Sequence, residues 1–218
     1  MIRPLALLLS LVYPVRCPFC GRVLERWEDG MCGACQRALP WVEPEEARQQ
    51  VDGCARCLAP LWYRDGAREG VRRYKFQHGR GHSRLFGALM AQCLARDWAG
   101  PVDLVTWAPL SRKRLRARGY DQAELLARRV GEVTGLPVIP TLEKRRHTRA
   151  QSRLGTEQSR RANVAGAYDC LPGVELAGKR VVLVDDVATS GATLAQCAAC
   201  LRAAGAACVV ALTLARAR

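Results

Sequence analysis

Two stretches of this chain hold residues whose types and spacing could do chemistry. The first is "CPFCGRVLERWEDGMCGAC", residues 17–35. It contains two Cys-x-x-Cys knuckles, Cys17/Cys20 and Cys32/Cys35, separated by eleven residues, with Gly21 and Gly33 directly after a cysteine of each. A knuckle turn aims backbone N–H groups at sulfur, and glycine tolerates the tight backbone it needs. Four such thiolates satisfy tetrahedral Zn²⁺ and leave no open position, so the metal is structural. A third pair, Cys54 and Cys57, has no partner knuckle in "LAPLWYRDGAREG". Either it is two free thiols or it substitutes for one of the first two knuckles. The second stretch is "VVLVDDVATSGATL", residues 181–194. Two carboxylates, Asp185 and Asp186, follow a run of branched apolar residues. Ala188, Thr189, Ser190, Gly191, Ala192 and Thr193 come next. Small residues let an anion approach the backbone, and a helix N-terminus attracts one. The carboxylates would repel that anion, so they must face donors such as sugar hydroxyls, or a metal. A phosphorylated sugar meets both demands. The lysine of a Walker loop and the Gly-x-Gly-x-x-Gly of a dinucleotide site are both absent.

These residues need a scaffold, and the pattern after residue 66 supplies one. Apolar runs at "VDLVTWAP", "LPVIPTL", "KRVVLVDD" and "AACVVALTLAR" read as strands. Helical periodicity falls at Ser83–Trp98, at Asp121–Thr134 and over "SGATLAQCAACLRAAG". Ser83 is a candidate N-cap, and "SRKRLRARG" reads as a basic loop. Strands alternating with helices imply a doubly wound parallel sheet with helices on both faces, an α/β class. Ligands of such sheets bind beyond the carboxyl ends of the strands, which is where Asp185 and Asp186 fall. The stretch from residue 143 to 168 is polar, rich in Arg and Gln, and too long for an ordinary connection, so a functional excursion is expected. The expected division is residues 1–65, an apolar helix and zinc ribbon, and residues 66–218, the α/β domain.

Composition bounds the partners. The chain has 218 residues and a net charge of +14, with 49% hydrophobic and 6% aromatic residues. Between Ser111 and Arg161 lie fourteen Lys and Arg against five Asp and Glu. Such a balance favours nucleic acid, acidic membranes or phosphorylated small molecules, although a solvated basic face is the plain reading of a charge run. Eleven cysteines, six of them in repeated Cys-x-x-Cys pairs, suit a metal in a reducing cytosol better than a secreted disulfide scaffold. Cys93, Cys170, Cys197, Cys200 and Cys208 sit in apolar or helical surroundings and read as small core residues. The start lacks a small-x-small cleavage site, and its apolar run is too short to span a bilayer. Leu5 to Val12 reads as a short helix packing on the domain, with membrane contact as the alternative. A cytoplasmic location is expected, with no transmembrane segment.

The second stretch resembles the signature of type I phosphoribosyltransferases, which bind phosphoribosyl pyrophosphate (PRPP). With the cysteine-rich start, "YKF", "RGYDQAELLA", "T-x-x-Q-S-x-L" and "R-x-x-N-V-x-G-A-Y", the chain from Cys17 to Leu214 resembles the ComF family of competence-associated proteins. The resemblance implies a type I phosphoribosyltransferase-like sheet with an N-terminal four-cysteine zinc ribbon. It implies that Asp185 and Asp186 are the catalytic acids, holding the ribose 2′ and 3′ hydroxyls directly or through Mg²⁺. Ala188, Thr189, Ser190, Gly191, Ala192 and Thr193 would hold the 5′-phosphate. The loop Ala108 to Arg112, with Ser111, Lys113 and Arg114, would hold pyrophosphate. Lys144, Arg145, Arg146, Arg149 and Gln151 match a lid over PRPP, where positive groups would stabilise the leaving pyrophosphate. Relatives often carry four knuckles and this chain has three, which puts a second zinc in doubt but not the first.

Two readings of function follow. One is Mg²⁺-dependent transfer of a phosphoribosyl group to an acceptor that no sequence feature names. The other is a non-catalytic module binding single-stranded DNA, with PRPP as ligand or regulator and competence-machinery proteins as partners. Tyr74, Phe76 and Tyr120 are the aromatic candidates for stacking on bases. A membrane-peripheral adaptor is a weaker third reading.

Overall fold

The computed structural model describes residues 14–25, 28–46, 50–76, 79–146 and 162–217. Leu5 to Val12, His78, Arg149 and Gln151 lie outside them. In chain order the elements are α1 (Gly33–Ala38), β1 (Arg56–Leu58), β2 (Leu61–Trp62), α2 (Asp65–Phe76), α3 (Ser83–Asp97), β3 (Leu104–Trp107), α4 (Arg112–Arg118), α5 (Gln122–Thr134), β4 (Leu142–Lys144), β5 (Tyr168–Cys170), β6 (Arg180–Ala188), α6 (Ala192–Ala203) and β7 (Cys208–Arg216).

The main sheet is parallel, in the order β1–β7–β6–β3, with β2 running on alongside β7 beyond β1. Its central strands are apolar on both faces, as expected for strands covered by helices on both sides. Val182, Val184, Val210 and Leu212 pack under α2, α3 and α5. Val181, Leu183, Val209 and Ala211 pack under α6 and the β4–β5 pair. Asp121 caps α5 by accepting from the N–H groups of Ala123 and Glu124, and Gly135 ends it in the left-handed conformation. No helix among the described residues is long and apolar enough to cross a membrane.

The structure departs from the pattern reading at several places. "LPVIPTL" does not make a full strand. Val138 alone bridges Val105, because Pro137 and Pro140 have no N–H for a ladder. Leu142–Lys144 instead pairs antiparallel with Tyr168–Cys170, so the two feet of the polar excursion are stapled together. "SRKRLRARG" is a helix, α4, not a loop. Its Arg, Leu and Ala residues are good helix formers, and Gly119 at φ 76° closes it. Ser83 is the first helical residue rather than the N-cap, and its hydroxyl donates to the Arg80 carbonyl. Finally, β1 and β2 precede residue 66 yet belong to the main sheet. Their "CLAPLW" run is buried against β7.

Candidate functional site

The four cysteine sulfurs of the N-terminal stretch lie within 4.8 Å of one another. The Cys20 and Cys32 sulfurs are 3.7 Å apart. Sulfurs at the corners of a tetrahedron around zinc are separated by about 3.8 Å, given a bond of about 2.3 Å, so the donor set fits that ion. The first knuckle closes through Gly21 N–H to Cys17 O and Cys17 N–H to Arg22 O, both 2.8 Å. In the second, Cys35 N–H donates to Cys32 Sγ. That bond leads the effects that draw the Cys32 thiol down to about 6, towards the thiolate a metal needs. The ribbon is docked rather than tethered. The Phe19 ring lies against Phe86 at 5.5 Å, and so close to Gly70 that a Cβ there would come within 2.7 Å of it. Arg73 donates to the Phe19 carbonyl at 2.7 Å.

Cys54 and Cys57 are elsewhere. Cys57 is on β1 in the core beneath α6, with Cys54 packed beside it. Burial pushes the thiol of Cys57 up to about 11 and that of Cys54 up to about 12, and among the described residues no third ligand gathers with them. Cys93 and Cys197 are buried in the two cores. The thiols of Cys170 and Cys200 donate to the carbonyls of Cys200 and Tyr168.

β6 runs through Asp185 and Asp186 to Ala188, so both carboxylates project from the strand itself. Successive strand residues point to opposite faces, and this separates the pair. Asp186 turns towards α2, where Lys75 Nζ lies 2.7 Å from its Oδ1. Asp185 lies on the α6 side, and its Oδ1 accepts the Asp186 N–H at 2.7 Å. Burial first, and the neighbouring Asp186 charge second, raise the Asp185 carboxyl. Above this face, Lys144 on β4 donates to the Tyr168 hydroxyl at 2.7 Å, with its ammonium 4.5 Å from the ring centroid. Burial, then the charge of Arg114, bring Lys144 down to about 8. Thr193 is hydrogen-bonded to the same tyrosine.

The loop after β6 enters α6 through Gly191 at φ 70°. A Cβ at Gly191 would be strained there and would also lie 2.9 Å from Val51. Ser190 Oγ is buried without a hydrogen-bond partner among the described residues, beside a cavity of about 220 Å³ that reaches Val51, Asp52 and Gln196. The loop after β3 is fixed by Ala108 N–H to Val184 O at 3.0 Å and by Leu110 N–H to Asp121 Oδ2 at 2.7 Å. Asp121 therefore caps α5 and pins that loop together. Burial raises its carboxyl to about 6.

Of the basic residues singled out by sequence, Ser111 is buried ahead of α4 and Arg112 and Lys113 are exposed. Arg114 turns inward, and burial lowers its pKa. Arg145 pairs with Glu143 and Asp169 on the outer side of β4–β5, and Arg146 donates to the Ala165 carbonyl. Lys75, Asp121 and Tyr168 were not assigned roles from sequence. All three sit inside quoted motifs ("YKF", "RGYD" and "GAY"), which was the available signal. Tyr74 cannot stack on a base. It is fully buried, donating to the Gln122 carbonyl at 2.9 Å. Phe76 is 68% exposed, with the Arg118 guanidinium 5.0 Å from its ring centroid. Arg80 lies similarly over Tyr120.

Residues 117–218 match the phosphoribosyl transferase domain family. The chain is 28% identical over 211 residues to competence protein F of Haemophilus influenzae, covering 87% of this chain and 92% of that one. Among solved structures it is similar to the glutamine PRPP amidotransferase of B. subtilis, at 24% identity and a TM-score of 0.43 over 65% of this chain. It is also similar to an allosteric regulatory enzyme of purine biosynthesis, at 29% identity and 0.39 over 61%. A protein of Thermus thermophilus matches at 19% identity and 0.35, over 61% of this chain and 83% of its own. The chain spans only 30% and 25% of the first two of these structures.

Proposed function

We propose that this chain, which resembles competence protein F over most of its length and matches the phosphoribosyl transferase domain family over residues 117–218, is a ComF-type protein that binds PRPP at the carboxyl end of β6 and transfers its phosphoribosyl group to an acceptor. One observation carries the reading. Asp185 and Asp186 lie in the last four residues of a buried parallel strand, which passes through Ala188 into a loop of small and hydroxyl residues that opens α6. Ala188, Thr189, Ser190, Gly191, Ala192 and Thr193 hold the 5′-phosphate with the free N–H groups of the first helical turn. Asp185 and Asp186 face the ribose hydroxyls. Their hard oxygens also suit Mg²⁺, which would neutralise pyrophosphate charge when it arrives with PRPP. Ser111, Arg112 and Lys113 attend the pyrophosphate. Arg114 and Lys144 sit on the inward side, where reduced solvent strengthens their pull on a departing anion. Arg145 and Arg146 stand at the foot of the excursion that the resemblance reads as a lid. The four-cysteine ribbon takes zinc as a structural ion.

Calorimetric titration of Mg²⁺-PRPP into the purified chain tests this. Saturable binding is expected, lost in Asp185→Asn with Asp186→Asn while the fold persists. Unchanged affinity in that variant would remove the site assignment.

A second reading has its own observation: exposed Phe76 beside Arg118, next to Arg112, Lys113 and Arg116 on α4, in a chain of net charge +14. This surface suits single-stranded DNA, with base stacking on Phe76 and phosphate contacts from the arginines. The name of the Haemophilus relative fits a role in competence. DNA affinity should fall steeply with salt, and Phe76→Ala should weaken it. Salt-insensitive binding would exclude this reading.

A further inference from the structure

Lys144 and Tyr168 are in-register partners across the β4–β5 ladder. Residues directly opposite one another share a face of the pair, so the two side chains meet. Lys144 Nζ donates to the Tyr168 hydroxyl at 2.7 Å and lies 4.5 Å from the ring centroid. The same hydroxyl is hydrogen-bonded to Thr193, in the first turn of α6. Two further bonds hold this part of the chain on α6. The Cys200 thiol donates to the Tyr168 carbonyl at 3.2 Å, and Gln196 Oε1 accepts the Gly166 N–H at 3.3 Å. Tyr168 is 3% exposed, which keeps water from replacing its partners.

The sense of the bonds follows from the donors. An ammonium has three hydrogens and no acceptor, so the tyrosine oxygen accepts from Lys144. Its own hydrogen then goes to Thr193 Oγ1. A threonine hydroxyl that accepts in this way still has a hydrogen to give. It stands at the end of α6 where backbone N–H groups and the helix dipole attract an anion. Hydrogen bonds aligned in one sense polarise one another. A lysine on one foot of the excursion is thus joined, through one tyrosine, to the helix turn that the phosphate loop opens.

We propose that Tyr168 is a positioning residue: a phosphate monoester over the N-terminus of α6 accepts from Thr193, and the chain Lys144–Tyr168–Thr193 fixes the ammonium and carries its charge towards that anion. This rests on the phosphate-binding half of the reading above, and not on transfer or on any acceptor. The surroundings agree with it. Burial and the Arg114 charge disfavour the ammonium, while Asp185 of β6, Asp121 ahead of α5 and the Cys197 thiol of α6 act in the other direction. A bound anion adds to the second group.

The chain has four lysines, Lys75, Lys113, Lys144 and Lys179, so isotopic labelling of lysine gives a spectrum in which Lys144→Arg identifies one signal. The test titrates ribose 5-phosphate into the labelled full chain. Saturable binding is expected, with the Lys144 signal moving at the same midpoint. Tyr168→Phe keeps the ring and removes the hydroxyl. It should displace the Lys144 signal before any ligand is added, weaken ribose 5-phosphate about tenfold and abolish the shift on binding. Thr193→Val should also weaken binding and abolish the shift, and Thr193→Ser, which restores the hydroxyl, should keep both. Should Tyr168→Phe fail to fold, the two threonine variants carry the comparison. Binding that leaves the wild-type Lys144 signal unmoved, or a signal that moves equally in Tyr168→Phe, overturns the coupling and leaves the phosphate site standing. No binding of ribose 5-phosphate to the wild type overturns the phosphate reading itself, and the proposal with it.

Discussion

The ribbon and the carboxyl edge of the sheet both gather groups of like charge, and they do so in opposite ways. In the ribbon, four thiols converge within 4.8 Å. As thiolates they repel one another until a cation sits between them. At the sheet edge, two adjacent carboxylates are sent to opposite faces by strand alternation. Lys75 meets one directly and Lys144 sits over the face of the other. The difference teaches which region depends on its ligand. On the proposed zinc reading, the ribbon completes its fold with the metal, as such units do. The sheet edge is compensated by its own side chains and can stand open until an anion arrives.

Four outcomes would break or sharpen that contrast. The largest effect belongs to the ribbon. Cys17→Ser should release about one zinc per chain and cost more than about 4 kcal/mol, because Cys17 is a ligand and also part of the α2–α3 core. Metal analysis with thermal unfolding checks this, and a chain purified without zinc would end the contrast. Next, Asp186→Asn should lower PRPP affinity about tenfold or more while shifting the melting temperature little, since Lys75 keeps solvent access. A smaller effect is expected for Lys75→Met. Leaving Asp186 without its partner should cost about 1 to 2 kcal/mol in denaturant unfolding, between the values for exposed and buried pairs. The smallest is a slope. Burial, then the Asp186 charge, push the Asp185 carboxyl up to about 7 in the fold, from the ordinary 3.8 of an exposed carboxyl. Between those values the folded chain holds a proton that the unfolded chain has released. Stability from this group is therefore greatest at low pH and declines as pH rises towards about 7. Asp185→Asn should flatten that decline, and an unaltered slope would mean that Asp185 is solvated.

Much of this was legible in advance because it is local. Knuckle spacing fixes where four sulfurs can meet, and Cys17, Cys20, Cys32 and Cys35 do meet. The apolar runs of β6 and β7 mark strands covered on both faces. Asp121 and Gly135 announce both ends of α5. The misread segments are those where a distant partner decides. "LPVIPTL" has a strand's residues, but its prolines leave β3 only one bridge. β4 and β5 are three residues each, too short for a periodic signal, and exist because the feet of the excursion pair. Tyr74 looked like a stacking aromatic until α5 packed over it.

By itself, the sequence determined the class of sheet, the four-cysteine cluster and the motif that carries two carboxylates into a loop of small and hydroxyl residues. Each is written in residues close together along the chain, where covalent spacing limits the geometry. The tertiary structure decided which charge meets which. It sent Asp185 and Asp186 to different faces, gave Lys75 to one and Lys144 to the other, and buried Arg216 against Trp62, a residue far from it along the chain. Those pairings arise from strand order and register, and only the packed sheet sets them.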